Sequence, residues 1–293
     1  MTSKIAASDR FAQLAPPLFV LLWSTGFIGA KFGLPYAEPL TFLAYRYAIV
    51  SAVLILLIIG LRLPLPRRPR MWLHLVFSGL LLHGFYIAGV FLAIRHGMSS
   101  GISALIVGVQ PLLTATVSGP FLGERVTSRQ FMGFGLGFLG LSLTVSKTLA
   151  QGQLPLFGFV SCVVALLAIT AGTVYQKRYV IGVDLRVGAC IQFIPTAIAF
   201  YVLSHFFESG VVNWHPRFIF ALIWLCLALS LGAISLLWLL IQRGAAAQVA
   251  SLFYLVPPVT ALEGFALFGE TLTSFQMVGI AITAVGVALI NRR

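Results

Sequence analysis

His83 and Tyr86 stand three residues apart in a run, 71 to 94, that contains no Asp, Glu, Lys or Arg. On a helix this spacing puts an imidazole and a phenol on one face, with Gly79 and Val90 completing the stripe. The pair suits recognition: the imidazole can hydrogen-bond an amine or a carboxylate while the phenol stacks on an apolar group. The alternative is that His83 only bonds a carbonyl of a neighbouring helix. A second run, 96 to 123, carries Ser100, Ser103, Val107, Gln110 and Thr114 at alternating steps of three and four. That polar stripe must turn from lipid, towards either a cavity or another helix, and Gln110 is its leading candidate for binding. Ser251 and Tyr254 repeat the three-residue spacing just ahead of Pro257 and Pro258. Proline removes a backbone donor and clashes with the preceding turn, so Pro111, Pro257 and Pro258 are expected to act as hinges that free carbonyls at mid-membrane, or as fixed kinks that shape packing. Trp23, Tyr175 and Trp238 lie where they could wall a cavity or serve as ordinary interface aromatics.

Charges inside such runs are costly unless paired. Arg46 is expected within the second span, where it meets either a substrate carboxylate or a structural partner such as helix-end carbonyls. Lys31 can snorkel outward. Glu263 is the carboxylate set well within a span and is a candidate protonatable coupling group, although a second intramembrane carboxylate to complete a relay is lacking. The acidic residues Asp9, Glu38, Glu124, Asp184, Glu208, Glu263 and Glu270 form no cluster in sequence, which argues against a membrane-embedded, lipid-modifying enzyme. Cys162, Cys190 and Cys226 lack ligand spacing and read as small buried residues. No catalytic residue, metal or cofactor is expected.

The elements that must position these groups follow from composition. With 59% hydrophobic and 9% charged residues, the chain has too little polar surface for a soluble globule, so its main solvent is the lipid bilayer. Ten windows free of charged residues exhaust it, each near the length of about 20 residues that a spanning helix needs. The expected spans are 14 to 34, 39 to 60, 71 to 94, 99 to 121, 126 to 146, 155 to 175, 184 to 204, 217 to 241, 246 to 268 and 272 to 291. Their short connections make sequential helices antiparallel neighbours. The 19 Lys and Arg against 7 Asp and Glu would suggest nucleic acid in a soluble protein. Here the basic residues gather in alternate loops, with Arg62, Arg67, Arg68 and Arg70 together on one side and only Arg95, Lys147 and Arg217 in loops on the other. Membrane topology explains this better, with both termini cytoplasmic and no nucleic-acid partner. Lys4 and Arg10 ahead of an apolar run imitate a signal peptide, but its continuation to Gly33 favours an uncleaved helix.

The chain also repeats itself. Gly123-Glu124, Thr127-Ser128, Gln130 and Gly133 return as Gly269-Glu270, Thr273-Ser274, Gln276 and Gly279. The same offset carries Pro111 onto Pro257, Lys31 onto Lys177 and Glu38 onto Asp184. Five spans per copy is an odd number, so the second copy enters the membrane from the opposite side. The fold class is therefore all-α integral membrane, with ten transmembrane helices in two inverted five-helix repeats, residues 1–147 and 148–293. Gly133, Gly137, Gly140, Gly279 and Gly286 supply small faces in the fifth and tenth spans for scaffold contacts or a homodimer.

Trp23-Ser24, Arg46, the mid-helix prolines of the fourth and ninth spans and the Gly-Glu turns at 123–124 and 269–270 together resemble the EamA-type exporters of the drug/metabolite transporter superfamily. The resemblance runs the full length and is nearest to bacterial aromatic amino-acid exporters. It implies a multi-pass protein of the bacterial inner membrane that exports small amphipathic metabolites by alternating access. The scarcity of intramembrane Lys and Arg argues against phosphate-bearing substrates. Amino acids with aromatic or apolar side chains are the expected cargo, with other metabolites, drugs or a passive channel as alternatives.

Overall fold

The computed structural model describes residues 2–122, 127–150, 155–243, 252–269 and 273–291. Among them the chain forms ten helical spans. α1 is Thr2–Gly33, α2 is Pro39–Gly60, and α3 runs through Pro69–Gly79, Leu80–Phe85 and Tyr86–Arg95. α4 is divided into Ser100–Val107 and Gln110–Leu122, followed by α5, Ser128–Ala150. The second repeat holds α6, Leu156–Tyr179, and α7, Leu185–Phe207. α8 runs through Pro216–Trp224, Leu225–Ala233 and Ile234–Arg243, α9 through Phe253–Leu255 and Val256–Phe268, and α10 is Ser274–Asn291. Six of these helices are long and apolar enough to cross a membrane by length and composition, including Pro39–Gly60, Pro69–Arg95 and Leu185–Phe207. Large apolar side chains such as Leu56, Ile59, Leu73 and Phe206 are exposed around the bundle, the inside-out distribution that lipid permits.

Local sequence accounts for where the helices start and break. Pro39 and Pro216 occupy first-turn positions, where a missing N–H costs nothing. Ser99 caps α4 by accepting from the Ile102 N–H at 3.2 Å. The repeat symmetry extends to the irregularities. α3 widens into a π-helix over Leu80–Phe85, and α8 does so over Leu225–Ala233. The offset that takes Gly123 to Gly269 superposes these two segments. It also superposes the interruption of α4 at Gly108-Val109 on the 3-10 turn that opens α9.

Helices in lipid gain little from hydrophobic burial against each other and pack instead through small residues. A methyl group on Gly29 would sit 2.7 Å from Leu225, and one on Gly172 would sit 2.7 Å from Leu82. Thus α1 lies against the π-helical part of α8, and α6 against that of α3. The glycine faces of α5 and α10 meet within one chain: a methyl on Gly286 would approach the Gly133 carbonyl oxygen to 2.7 Å. The turns at one end are clasped together. Glu208 accepts from the backbone N–H groups of Leu40 and Thr41, both at 2.7 Å, and from the Thr41 hydroxyl at 2.8 Å. Glu38 accepts from the backbone and hydroxyl of Ser209 at 2.7 and 2.6 Å. The Tyr36 ring stacks on His215 at 4.6 Å. Glu208 therefore supplies the α2 cap that Glu38, at the N-cap position, does not.

Candidate functional site

The two interrupted helices touch at their breaks. Gly108, the first residue after the opening segment of α4, faces the Pro257 ring so closely that a methyl there would lie 2.6 Å from Pro257 Cγ. Pro111, Pro257 and Pro258 are all buried at this crossing. Each proline stands in the first turn of the helix that follows the break, where its absent N–H interrupts nothing further.

Beside the crossing lies a narrow cavity of ≈ 10 Å³, room for about one water molecule. Trp23 of α1, Tyr86 of α3, Gln110 of α4, Ile169 of α6 and Phe253 of α9 contribute to its wall, so both repeats enclose it. Phe19, Trp23 and Phe253 form an aromatic cluster with centroids 5.1 to 5.3 Å apart. Gln110 is 5% exposed and donates to Thr114 Oγ1 at 2.9 Å. The wall is apolar and aromatic, with the Gln110 amide, the Tyr86 phenol and the Trp23 indole N–H as its polar groups. That composition suits the body of an amphipathic molecule, but in this closed conformation the space admits only water, so a substrate would enter once the helices part.

Of the residues singled out from sequence, Trp23, Tyr86 and Gln110 meet at this cavity and the rest are distributed elsewhere. His83 sits on the π-helical segment and faces α7, its Nε2 3.2 Å from Gln192 Oε1 and its ring edge-on to Phe193 at 4.6 Å. The wider π turn changes the angle between residues three apart, so the stripe expected from a 3.6-residue period does not hold His83 and Tyr86 on one wall. Ser103 is fully buried, and its hydroxyl has no hydrogen-bond partner among the described residues. The interruption at Gly108-Val109 separates it in orientation from Gln110. Tyr254 is fully buried against Leu105, Phe134 and Gly137, on the side of α9 towards α5. Tyr175 accepts or donates a 2.7 Å bond with His74 Nδ1 near the start of α3. Trp238 lies in α8 with its side chain, like the whole of Ser251, outside the described residues. All three cysteines are free and buried.

The intramembrane charges have defined surroundings. Lys31 Nζ lies 4.2 Å from the Phe268 ring centroid. Glu263 of α9 faces α1, where Ser24 Oγ stands 2.7 Å from its Oε1 and 2.8 Å from the Leu21 carbonyl oxygen. A hydroxyl has one proton and can donate to only one of these. Either Ser24 donates to an ionised Glu263, or Ser24 donates to Leu21 and accepts from a protonated one. Both fit the same heavy-atom positions. Glu263 Oε2 is buried and has no hydrogen-bond partner among the described residues. Arg46 is 3% exposed and bonds a hydroxyl, Ser230 Oγ on α8, rather than helix-end carbonyls.

One polar centre escaped the sequence reading. Gln192 of α7 donates to Ser78 Oγ at 3.0 Å and Gln176 Oε1 at 2.8 Å, and its own Oε1 faces His83, joining α3, α6 and α7. Its signal was the repeat itself, because the offset that carries Lys31 onto Lys177 carries Arg46 onto Gln192.

Comparison with known proteins agrees with this architecture. The model of the EamA-like transporter family matches twice, over residues 14–146 and 156–292. A probable amino-acid metabolite efflux pump of Salmonella typhimurium is 25% identical, covering 96% of this chain and 94% of its own. Its counterpart of the same name in Escherichia coli is 24% identical over 92% of this chain and 91% of its own. An uncharacterized inner membrane transporter of Escherichia coli is 27% identical over 96% and 92%. A solved crystal structure superposes with a TM-score of 0.75 at 20% identity, covering 96% of both chains, which speaks to the fold. Two matches of the family model, which together span nearly the whole chain, make it a member of the EamA-like transporter family, a multi-pass membrane transporter and not an enzyme.

Proposed function

We propose that this transporter exports small amphipathic metabolites, above all amino acids with aromatic or apolar side chains, by alternating access through the cavity at the α4–α9 crossing. One observation carries the reading: the cavity wall, drawn from both repeats, is aromatic and apolar, with Tyr86, Gln110 and the Trp23 indole N–H as its polar groups. Such a wall favours a flat or branched apolar side chain over a sugar or a phosphate. The names of the Salmonella and Escherichia coli relatives point the same way. In this reading Pro111 and Pro257 are the points about which the halves exchange conformation, and both termini are cytoplasmic in a bacterial inner membrane.

Glu263 is the proton-coupling group. Its pairing with Ser24 through Oε1 accepts either protonation state without moving a heavy atom. The test is counterflow and efflux in proteoliposomes. Vesicles loaded with phenylalanine or threonine should release it faster with the protein than without it; equal rates across an amino-acid panel would defeat the substrate assignment. An imposed proton gradient should accelerate the wild type and leave Glu263→Gln unaffected. An intact gradient response in that variant removes Glu263 from coupling.

A further inference from the structure

Arg46 presents a problem of charge that its surroundings leave unsolved. The guanidinium is always ionised and carries five N–H donors, yet it is 3% exposed in the interior of a lipid-immersed bundle. Nε and Nη2 lie 3.3 and 3.0 Å from the same atom, Ser230 Oγ, and that hydroxyl gives its own proton to the Leu225 carbonyl at 3.0 Å within the π-helical segment. Tyr47 adds a ring face at 5.4 Å. No carboxylate among the described residues forms an ion pair with Arg46. Glu38, Asp184, Glu208 and Glu263 are engaged with Ser209, Arg186, the start of α2 and Ser24 respectively. A buried cation with one neutral acceptor lacks the anion that burial normally requires.

The repeat shows what the fold alone demands at this position. Gln192 takes the equivalent place against the π-helical segment of α3, is 5% exposed, and has both ends of its amide satisfied by Ser78, Gln176 and His83. A neutral hydrogen-bonding side chain therefore suffices to join the second helix of a repeat to the π-helical segment of the other. The charge in the first repeat goes beyond that requirement.

We infer that Arg46 recognises a carboxylate of the transported molecule, taking it between α2 and the Ser230 turn of α8 in the loaded state. A planar carboxylate matches the guanidinium fork with two parallel N–H···O bonds and supplies the missing negative charge. This rests on the proposed export of amphipathic metabolites and narrows their class to those bearing a carboxylate.

The test compares two ligand pairs that differ only at that group, phenylalanine against phenylalaninamide and 3-phenylpropionate against 3-phenylpropionamide. Binding to the purified full chain in detergent is read by titration calorimetry. The wild type should bind each carboxylate at least about 10-fold more tightly than its amide. Arg46→Gln, which installs the side chain the other repeat already uses, should erase that ratio while changing amide affinity by less than about 3-fold. Arg46→Lys, keeping charge without the fork, should fall between them. Thermal unfolding of each variant checks folding, and Arg46→Lys decides the matter should Arg46→Gln unfold. If the wild type discriminates only the phenylpropionate pair, the amino-acid reading fails and the role of Arg46 stands. If the wild type prefers neither carboxylate, or if the ratio survives in the folded variants, the inference is overturned.

Discussion

Replacing Gly108 by Ala probes the crossing on which the site depends. The backbone there is ordinary, with φ −62° and ψ −11°, so a side chain is not forbidden by conformation. Contact decides the outcome. The added methyl would lie 2.6 Å from Pro257 Cγ, 3.0 Å from the Ala104 carbonyl oxygen and 3.1 Å from that of Leu105. Carbon atoms prefer roughly 3.5–4.0 Å, so α4 and α9 must part by about 1 Å at a point where one partner is a rigid ring. Overpacking of this kind costs about 1–3 kcal/mol, offset by about 0.4–1 kcal/mol from the reduced freedom of the unfolded chain. The expected net is a loss of about 1–2 kcal/mol. Gly135→Ala is the control, because no atom lies within 4 Å of its added methyl. Thermal unfolding of the purified proteins in one detergent should rank Gly135→Ala at or above wild type, and Gly108→Ala clearly below it. Should Gly108→Ala be as stable as wild type, the two breaks do not press on each other and the crossing is misplaced.

Three further outcomes can be measured. Glu208→Ala strips the acceptor from two backbone N–H groups and the Thr41 hydroxyl, which should cost about 1–3 kcal/mol in thermal unfolding; an effect below about 0.5 kcal/mol would show that the clasp is idle. The Ser209 hydroxyl holds the Glu38 carboxyl below its ordinary value of 4.5. Its contribution is therefore present above that value and lost as pH falls through the lower folded one, so the acid-side decline in stability should be shallower in Glu38→Gln than in wild type. Identical declines would contradict this. Leu65 and Val211 are exposed and equivalent by the repeat. Single cysteines placed there, with the three native ones replaced, should react with an impermeant maleimide from opposite sides of the membrane, and labelling from one side would contradict the inverted arrangement.

Much of the frame was legible because membrane solvent imposes simple constraints. The apolar pattern placed the second span at 39 to 60, where α2 is Pro39–Gly60, and the seventh at 184 to 204, where α7 is Leu185–Phe207. The duplicated Gly-Glu and Pro elements gave the repeat. Side-chain direction was less legible. A π-helical turn leaves no mark in an apolar run, so His83 read as a neighbour of Tyr86 although it faces Gln192. The interruption ahead of Pro111 likewise leaves Ser103 buried outside the cavity lining that Gln110 joins. Tyr254 read as a cavity phenol because its spacing to Pro257 was visible and its partner Phe134, on α5, was not. The clasp of Glu38 and Glu208 joins turns far apart in sequence, and no local pattern announces it. Gln192 could have been found by carrying the repeat offset through every intramembrane polar residue.

Alternating access at the α4–α9 crossing is tested most directly by a single cysteine at Gln110, which lines the cavity and stands beside the break. In oriented membrane vesicles, with the native cysteines replaced, a small impermeant thiol reagent should reach this cysteine when applied from either face, and saturating substrate should slow both reactions. Reaction from one face alone under every condition, or from neither, would contradict the account.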